Sequence, residues 1–396
     1  MGAPQKVKIG LVGLGAIGTR MYVPILKEAE EVEVVGICDI DRSKADEYAA
    51  VLNTTAFYDM NEMFDQSGLE AIIISVPHYD HTPIAIEAFR RGLHVLCEKP
   101  IAVHINDATK MIGAYEEAKA ANPSLVFGIM FQERTLPFHR KLKDIVASGE
   151  LGRLMRATWI NTKWFRSQLY YDSGDWRATW AGEGGGILTN QCPHNLDLYQ
   201  WLFGMPAQVH GFAHIGKYHN IEVEDEVTAY LEHENGMVGH FIVTTAESPG
   251  TNRLEIVGEY GTLVYEKDTL VLHKGRVSMI DHIQNTPTRF DNIETWYTEI
   301  PVDRNVPSNH PVVFEKFIRA IHHGDAELVA HGKEGILGLT LANAIMLSSF
   351  TRQTVELPMD GDAYEAQLQE RIRGSKYVKK KAVSVEPEDM SASFSN

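Results

Sequence analysis

The sequence predicts a two-domain α/β chain: a doubly wound parallel sheet first, then an α/β domain carrying a large open, mostly antiparallel sheet. Three observations predict it. Through about residue 130, short Val/Ile-rich runs alternate with helix-patterned segments, as they do when parallel strands are covered on both faces. Beyond that point the strand-like runs lengthen and are joined by turn signals, as in Glu226–Glu232, Glu234-Asn235-Gly236 and Val238–Thr245, the pattern of antiparallel pairing. The third is size: 396 residues, 44% of them hydrophobic, are too many for one ordinary core and enough for two. The expected division is 1–130, 131–373 and a flexible tail over 374–396.

Taken in order, the strands of the first domain are expected at Val7–Val12, Val32–Ile37, Ala71–Val76, Leu93–Cys97 and Leu125–Ile129. The helices between them are Thr19–Glu30, Ser43–Leu52, Thr82–Arg90 and Asn106–Ala121. Another helix spans Leu136–Val146, and a late one, Glu334–Phe350, returns to pack on earlier structure. The tail is rich in Lys, Glu and Ser and holds the basic run Lys379–Lys381, which reads as a solvated end.

Composition narrows the function. A net charge of −16, from 53 acidic against 37 basic side chains, repels nucleic acid and anionic membranes. Cys38, Cys97 and Cys192 lie far apart without CxxC spacing, so neither a disulfide framework nor a zinc site is expected. The start has no apolar leader, and no later run approaches the apolar length that spans a bilayer. A cytoplasmic location follows.

After the first strand comes Gly13-Leu14-Gly15-Ala16-Ile17-Gly18, opening a helix. Gly13 allows the tight turn, Gly15 lets a pyrophosphate approach the backbone, and Gly18 lets helix and strand pack. Asp39 ends the second strand about 20 residues on, where a carboxylate accepts from the adenosine ribose hydroxyls. That carboxylate would repel the 2′-phosphate of NADP, so the cofactor is read as NAD. Arg42 admits two readings: it can meet a phosphate there, or simply begin the next helix.

Ligands of such sheets lie beyond the strands' carboxyl ends, where the third and fourth runs read Ser75-Val76-Pro77-His78-Tyr79-Asp80-His81 and Cys97-Glu98-Lys99-Pro100. Ser75, Pro77, His81, Glu98 and Lys99 are assigned to the cofactor crevice, with Gln132 past the fifth run. An ordinary exposed loop would also read this way. His78 and His81 have metal-pair spacing but no third ligand, so no metal is expected; they line the crevice or cap the helix near Thr82.

A second polar concentration holds Trp164, Arg166, Tyr170-Tyr171, Trp176-Arg177 and Trp180, then Gly184-Gly185-Gly186 and Asn190-Gln191-Cys192-Pro193-His194-Asn195-Leu196-Asp197. Aromatic faces and guanidinium forks suit sugar-like ligands; a domain-packing loop is the plainer alternative. We assign Trp164, Arg166, Tyr171, Trp176, Arg177, Asn190, His194 and Asp197 to the substrate. On one helix Asn190, His194 and Asp197 would share a face, but Pro193 makes that helix start late or kink. His194 could equally be a satisfied buried residue.

Together, Gly13-x-Gly15-x-x-Gly18, Glu98-Lys99-Pro100 and the triple glycine with His194 and Asp197 resemble the Gfo/Idh/MocA oxidoreductases over roughly residues 7–358. The resemblance implies a Rossmann domain, then a substrate domain whose open sheet builds a homo-oligomer, a dimer, tetramer or larger. It also implies that Lys99 and His194 act at the reacting carbon. Sugar and inositol dehydrogenases of the family usually carry Asp where this chain has Asn190, and Asn relays no proton.

The expected reaction is reversible oxidation of a secondary alcohol on a cyclic polyol, sugar or glycoside, of the inositol dehydrogenase or glycoside 3-dehydrogenase type. Histidine is the base matched to neutral pH, and Lys99 would stabilise alkoxide charge. The rivals are an NAD-dependent glycosidase or lyase using transient sugar oxidation, and a non-catalytic dinucleotide sensor. Net consumption of NAD separates the first rival from a dehydrogenase, and the presence of both Lys99 and His194 argues against the second.

Overall fold

The computed structural model describes residues 5–65 and 68–379, which fall into two units, each taken here by itself. The first holds the described residues up to Leu136 together with Pro307–Leu339. Its strands are β1 (Val7–Val12), β2 (Val32–Cys38), β3 (Ala56–Phe57), β4 (Ala71–Ile74), β5 (His94–Cys97) and β6 (Phe127–Ile129). They lie in the order β3-β2-β1-β4-β5-β6, and every pairing is parallel. The order reverses between β1 and β4, so the carboxyl ends of these two strands flank the crevice where such sheets bind ligands. β4 is Ala-Ile-Ile-Ile without alternation because both its faces are covered.

The parallel sheet and its Rossmann order agree with the expectation, and the differences are local. β3 has only two residues, too few to leave a periodic signal. The helix expected from Thr19 is a π-turn over Gly18–Tyr22 continued by Val23–Glu28. The helix expected from Thr82 begins at His78, with Pro77 before it and Pro83 inside. The first unit also extends past residue 130 and regains Pro307–Leu339, because Val313, Phe314 and Phe317 fill the same core as Ile9, Leu11 and Leu96.

The second unit holds Pro137–Val306 and the described residues from Thr340. Its strands are β7 (Leu154–Asn161), β8 (Gln208–Ile215), β9 (Glu224–Glu232), β10 (Val238–Thr244), β11 (Asn252–Gly258), β12 (Gly261–Glu266), β13 (Thr269–Gly275), β14 (Thr295–Ile300) and β15 (Val355–Glu356). The order is β14-β13-β12-β11-β7-β10-β9-β8-β15. Only β7 and β10 pair in parallel; the rest are antiparallel.

Burial alternates along β10 and β11, so one face is packed and the other is open in the single chain. The helix Pro193–Phe203 lies on the packed face at Gly239, where a Cβ would fall 2.0 Å from the Tyr199 hydroxyl oxygen. Only glycine lets helix and strand approach that closely.

In the segment expected to begin a flexible tail, Ser375, Tyr377 and Lys379 make hydrogen bonds. Ser375 donates to Glu222, Tyr377 donates to the Asn220 carbonyl at 2.9 Å, and Lys379 donates to the Tyr171 carbonyl at 2.7 Å and to that of Arg177. The remainder of that tail, with Lys380 and Lys381, lies outside the described residues. One described helix, Gly332–Thr351, is long and apolar enough to cross a membrane, against the reading that no run approaches that length; most of its apolar window is buried inside the structure.

Candidate active site

The glycine turn leaves β1 at Val12. Gly13 has φ +96°, and a Cβ there would fall 2.2 Å from the Ser75 carbonyl oxygen at the end of β4. A Cβ on Gly18 would fall 2.2 Å from the Gly13 carbonyl oxygen. Gly15 differs, since a Cβ on it meets nothing within 4 Å. Two glycines therefore let protein close on protein, and the third keeps one side of the turn open. That is the fit a dinucleotide's pyrophosphate requires, with Ala16 and Ile17 beginning the helix beneath it.

Asp39 is built into this cradle. One carboxylate oxygen accepts from Leu14 N at 2.7 Å and the other from Asp41 N at 2.8 Å, which leaves lone pairs for ribose hydroxyls. Arg42 begins the helix Arg42–Leu52 and stacks its guanidinium 4.5 Å from the centre of the Tyr58 ring. The helix-start reading of Arg42 is the one the geometry favours.

At the end of β4, Ser75 is buried under the glycine turn, and Pro77 leads into the helix of His78. His81 corrects its assignment as a cofactor contact. It is buried, and its ring nitrogens lie 2.7 Å from the Pro100 carbonyl and 2.9 Å from that of Val76. Both nitrogens face backbone carbonyls, which leaves neither directed at a cofactor. Burial pushes the His81 pKa below the ordinary histidine value, against the pull of the two carbonyls.

Glu98 also points inward. One carboxylate oxygen accepts from the Tyr22 hydroxyl at 2.8 Å and stands 3.6 Å from His310 Nε2, and the other accepts from Lys99 N at 3.2 Å. Burial alone would lift its pKa, but His310, Lys99 and Tyr22 together hold it below the usual carboxylate value. Gln132 is buried in the 3-10 turn after β6. Tyr22 and His310 escaped the sequence reading because nothing local marks them; His310 stands more than two hundred residues from Glu98.

In the second unit the aromatic and arginine residues gather on Tyr170, and this corrects the choice of Tyr171. Tyr171 is buried and its hydroxyl is committed to Thr245 Oγ1 at 2.9 Å. The Tyr170 ring has the Arg166 guanidinium 5.1 Å and the Arg177 guanidinium 4.6 Å from its centre. Its hydroxyl accepts from Arg177 at 2.7 Å and from Gln191 at 3.1 Å. Trp176 stacks on Arg177 at 4.6 Å, and Trp164 donates to Asn195 Oδ1 at 3.3 Å. This platform is thereby tied to the helix that carries His194.

That helix starts late, at Pro193, where the missing proline N–H costs nothing. His194 and Asp197 lie on it, both buried, and Asp197 accepts from Gln200 at 2.9 Å. Asn190 precedes the helix and does not share its face. Its amide donates to buried Glu183. Glu183 also accepts from Ala178 N at 2.6 Å and stands 3.9 Å from Arg177; burial lifts its pKa in spite of these partners.

The triple glycine wraps a second buried acid. Glu224 accepts from Gly186 N at 2.8 Å and Leu188 N at 3.1 Å, and a Cβ on Gly186 would fall 2.0 Å from its carbonyl oxygen. Burial pushes the Glu224 pKa up to about 7.

Known proteins share this design. Residues 7–122 match the oxidoreductase family with an NAD-binding Rossmann fold, and residues 139–264 match the GFO/IDH/MocA C-terminal domain. The 1,5-anhydro-D-fructose reductase of Ensifer adhaerens is 24% identical over 353 residues, 88% of this chain and 98% of that one. The inositol 2-dehydrogenase of Salmonella typhimurium is 31% identical over 151 residues, 37% of this chain and 43% of its own. Among solved structures, the WlbA dehydrogenase of Bordetella pertussis, in complex with NADH and UDP-GlcNAcA, superposes with TM-score 0.75 at 26% identity, covering 90% of this chain and 100% of that one. With the cradle, the strand order and both halves matched, the chain belongs to the Gfo/Idh/MocA family and is an NAD-dependent oxidoreductase.

Proposed function

We propose that the protein reversibly oxidises a secondary alcohol of a cyclic polyol, sugar or glycoside. The observation that carries this reading is the Tyr170 platform, flanked by Arg166 and Arg177 and bonded through Trp164 to Asn195, the neighbour of His194. Flat aromatic faces accept the apolar face of a sugar ring, and guanidinium forks bind its oxygens. Relatives whose names specify an anhydrosugar and an inositol support it.

In this reading Gly15 admits the pyrophosphate, Asp39 accepts from ribose hydroxyls, and Ser75, Pro77 and Gln132 line the crevice. Bound NAD supplies the nicotinamide carbon that takes the hydride from the alcohol carbon. Neutral His194 accepts the hydroxyl proton. The Lys99 ammonium donates to the same oxygen as its negative charge grows. The open sheet face would pair copies of the chain, and the enzyme would work in the cytoplasm.

The test is to incubate the protein with NAD and a panel of inositols, free sugars, glycosides and aliphatic alcohols, follow NADH absorbance and identify the keto product. Turnover of ring polyols alone is expected. Preference for aliphatic alcohols would sink the reading.

A further inference from the structure

We propose that Tyr22 and His310 are positioning residues that fix Lys99 through the buried Glu98 carboxylate, an inference that rests on the role given to Lys99 above. Three chain segments converge on that one side chain. Tyr22 closes the π-turn that follows the glycine cradle and is fully buried. His310 comes from the first turn of the helix Asn309–His323. Their rings meet edge to face, with centroids 6.1 Å apart and planes at 81°. Glu98 ends the run from β5 and directly precedes Lys99.

Burying a carboxylate costs several kcal/mol unless it is paired, and a buried pair is seldom the most stable filling for its space. Stability is therefore a poor reason for this cluster, and geometry is a better one. The Glu98 carboxylate binds the Lys99 N–H at 3.2 Å, and on the other side His81 holds the Pro100 carbonyl at 2.7 Å. The backbone around Lys99 is gripped before and after it.

The π-turn belongs to the same device. One extra residue in a helical turn rotates everything after it by about 100°, and Tyr22 is the residue that this turn delivers to Glu98. Loss of the Tyr22 hydroxyl or the His310 ring would free the carboxylate to turn, and the Lys99 peptide with it.

The experiment uses the full chain with whichever polyol is turned over. Tyr22→Phe keeps the ring and loses the hydroxyl; His310→Gln provides a second, independent variant should the first not fold. For each, kcat, the KM for NAD and the thermal midpoint are measured, alone and combined with Lys99→Ala. Each single variant is expected to lower kcat about tenfold, as for a lost hydrogen bond to a charged group. The KM for NAD should change less than about twofold, and no further loss should appear in the Lys99→Ala background.

Normal kcat in Tyr22→Phe and His310→Gln, with Lys99→Ala impaired, overturns the positioning role alone. So does an equal loss with and without Lys99, which marks a structural role. Normal kcat in Lys99→Ala overturns both this inference and the role of Lys99 on which it rests.

Discussion

The family resemblance leads one to expect an acid at position 190, and the surroundings of Asn190 explain why an amide suits this chain. Its nitrogen donates to Glu183, whose pKa burial already raises. Asn190→Asp would remove that donor and set a second carboxyl against the first. The pair could share a proton in acid but not in base. We predict a loss of roughly 1–3 kcal/mol at pH 8, as for an unsatisfied buried acceptor, and a smaller loss at pH 5; equal shifts of the urea midpoint at both would refute the pairing.

Lys99→Ala and His194→Ala should each lower kcat by roughly 10²-fold or more with a smaller change in NAD affinity. Near-normal turnover in either removes that residue from the chemistry. Adjacent aromatics show where reading residues from sequence stops: Tyr170 and Tyr171 are chemically alike, and only the fold decides that one faces the arginines and the other the core.

Among the elements, the glycine turn was legible because its constraints are local: strand, turn, helix and acid lie within about thirty residues. The two-residue β3, the π-turn and the His78 helix start were not, since each is set by what it packs against. β5 carries a prediction of its own. His94 Nδ1 accepts from Val126 N at 2.9 Å, and burial pushes the histidine pKa down to about 4.

The folded chain thus keeps His94 neutral to about pH 4, whereas an unfolded chain takes up the proton near 6.5. Stability from this site is intact above about 6.5 and drains as pH falls towards 4, a loss of about 2 kcal/mol by pH 5. His94→Asn, whose oxygen can still accept, should show a smaller fall in thermal midpoint between pH 7.5 and pH 5. An equal fall in both proteins would exclude His94 as a source of acid sensitivity.

For the whole molecule, composition and period were enough to predict two kinds of sheet, but not that the chain returns to its first unit after residue 306. No local pattern distinguishes the helix Asn309–His323 from one that stays with its neighbours. At the end of the described chain three polar residues, Ser375, Tyr377 and Lys379, make hydrogen bonds that their composition does not announce. Lys379 holds the carbonyls of Tyr171 and Arg177, so a chain ending at Gly374 should show a several-fold higher KM for the alcohol than one ending at Lys379. Identical kinetics for the two would show that those five residues do not support the platform.

The returning segment also bears on how the protein is made. All of β1 to β6 leave the ribosome before Val313, Phe314 and Phe317, which complete their core. At about 5–20 residues per second, roughly ten to forty seconds of synthesis separate Leu136 from Leu339. Through that interval the sheet waits with the apolar seat of Phe317 open, a place for a nascent-chain chaperone to hold. Ribosome-stalled chains carrying residue 339 clear of the exit tunnel should protect β1 to β6 from protease, and chains stalled before residue 307 should not.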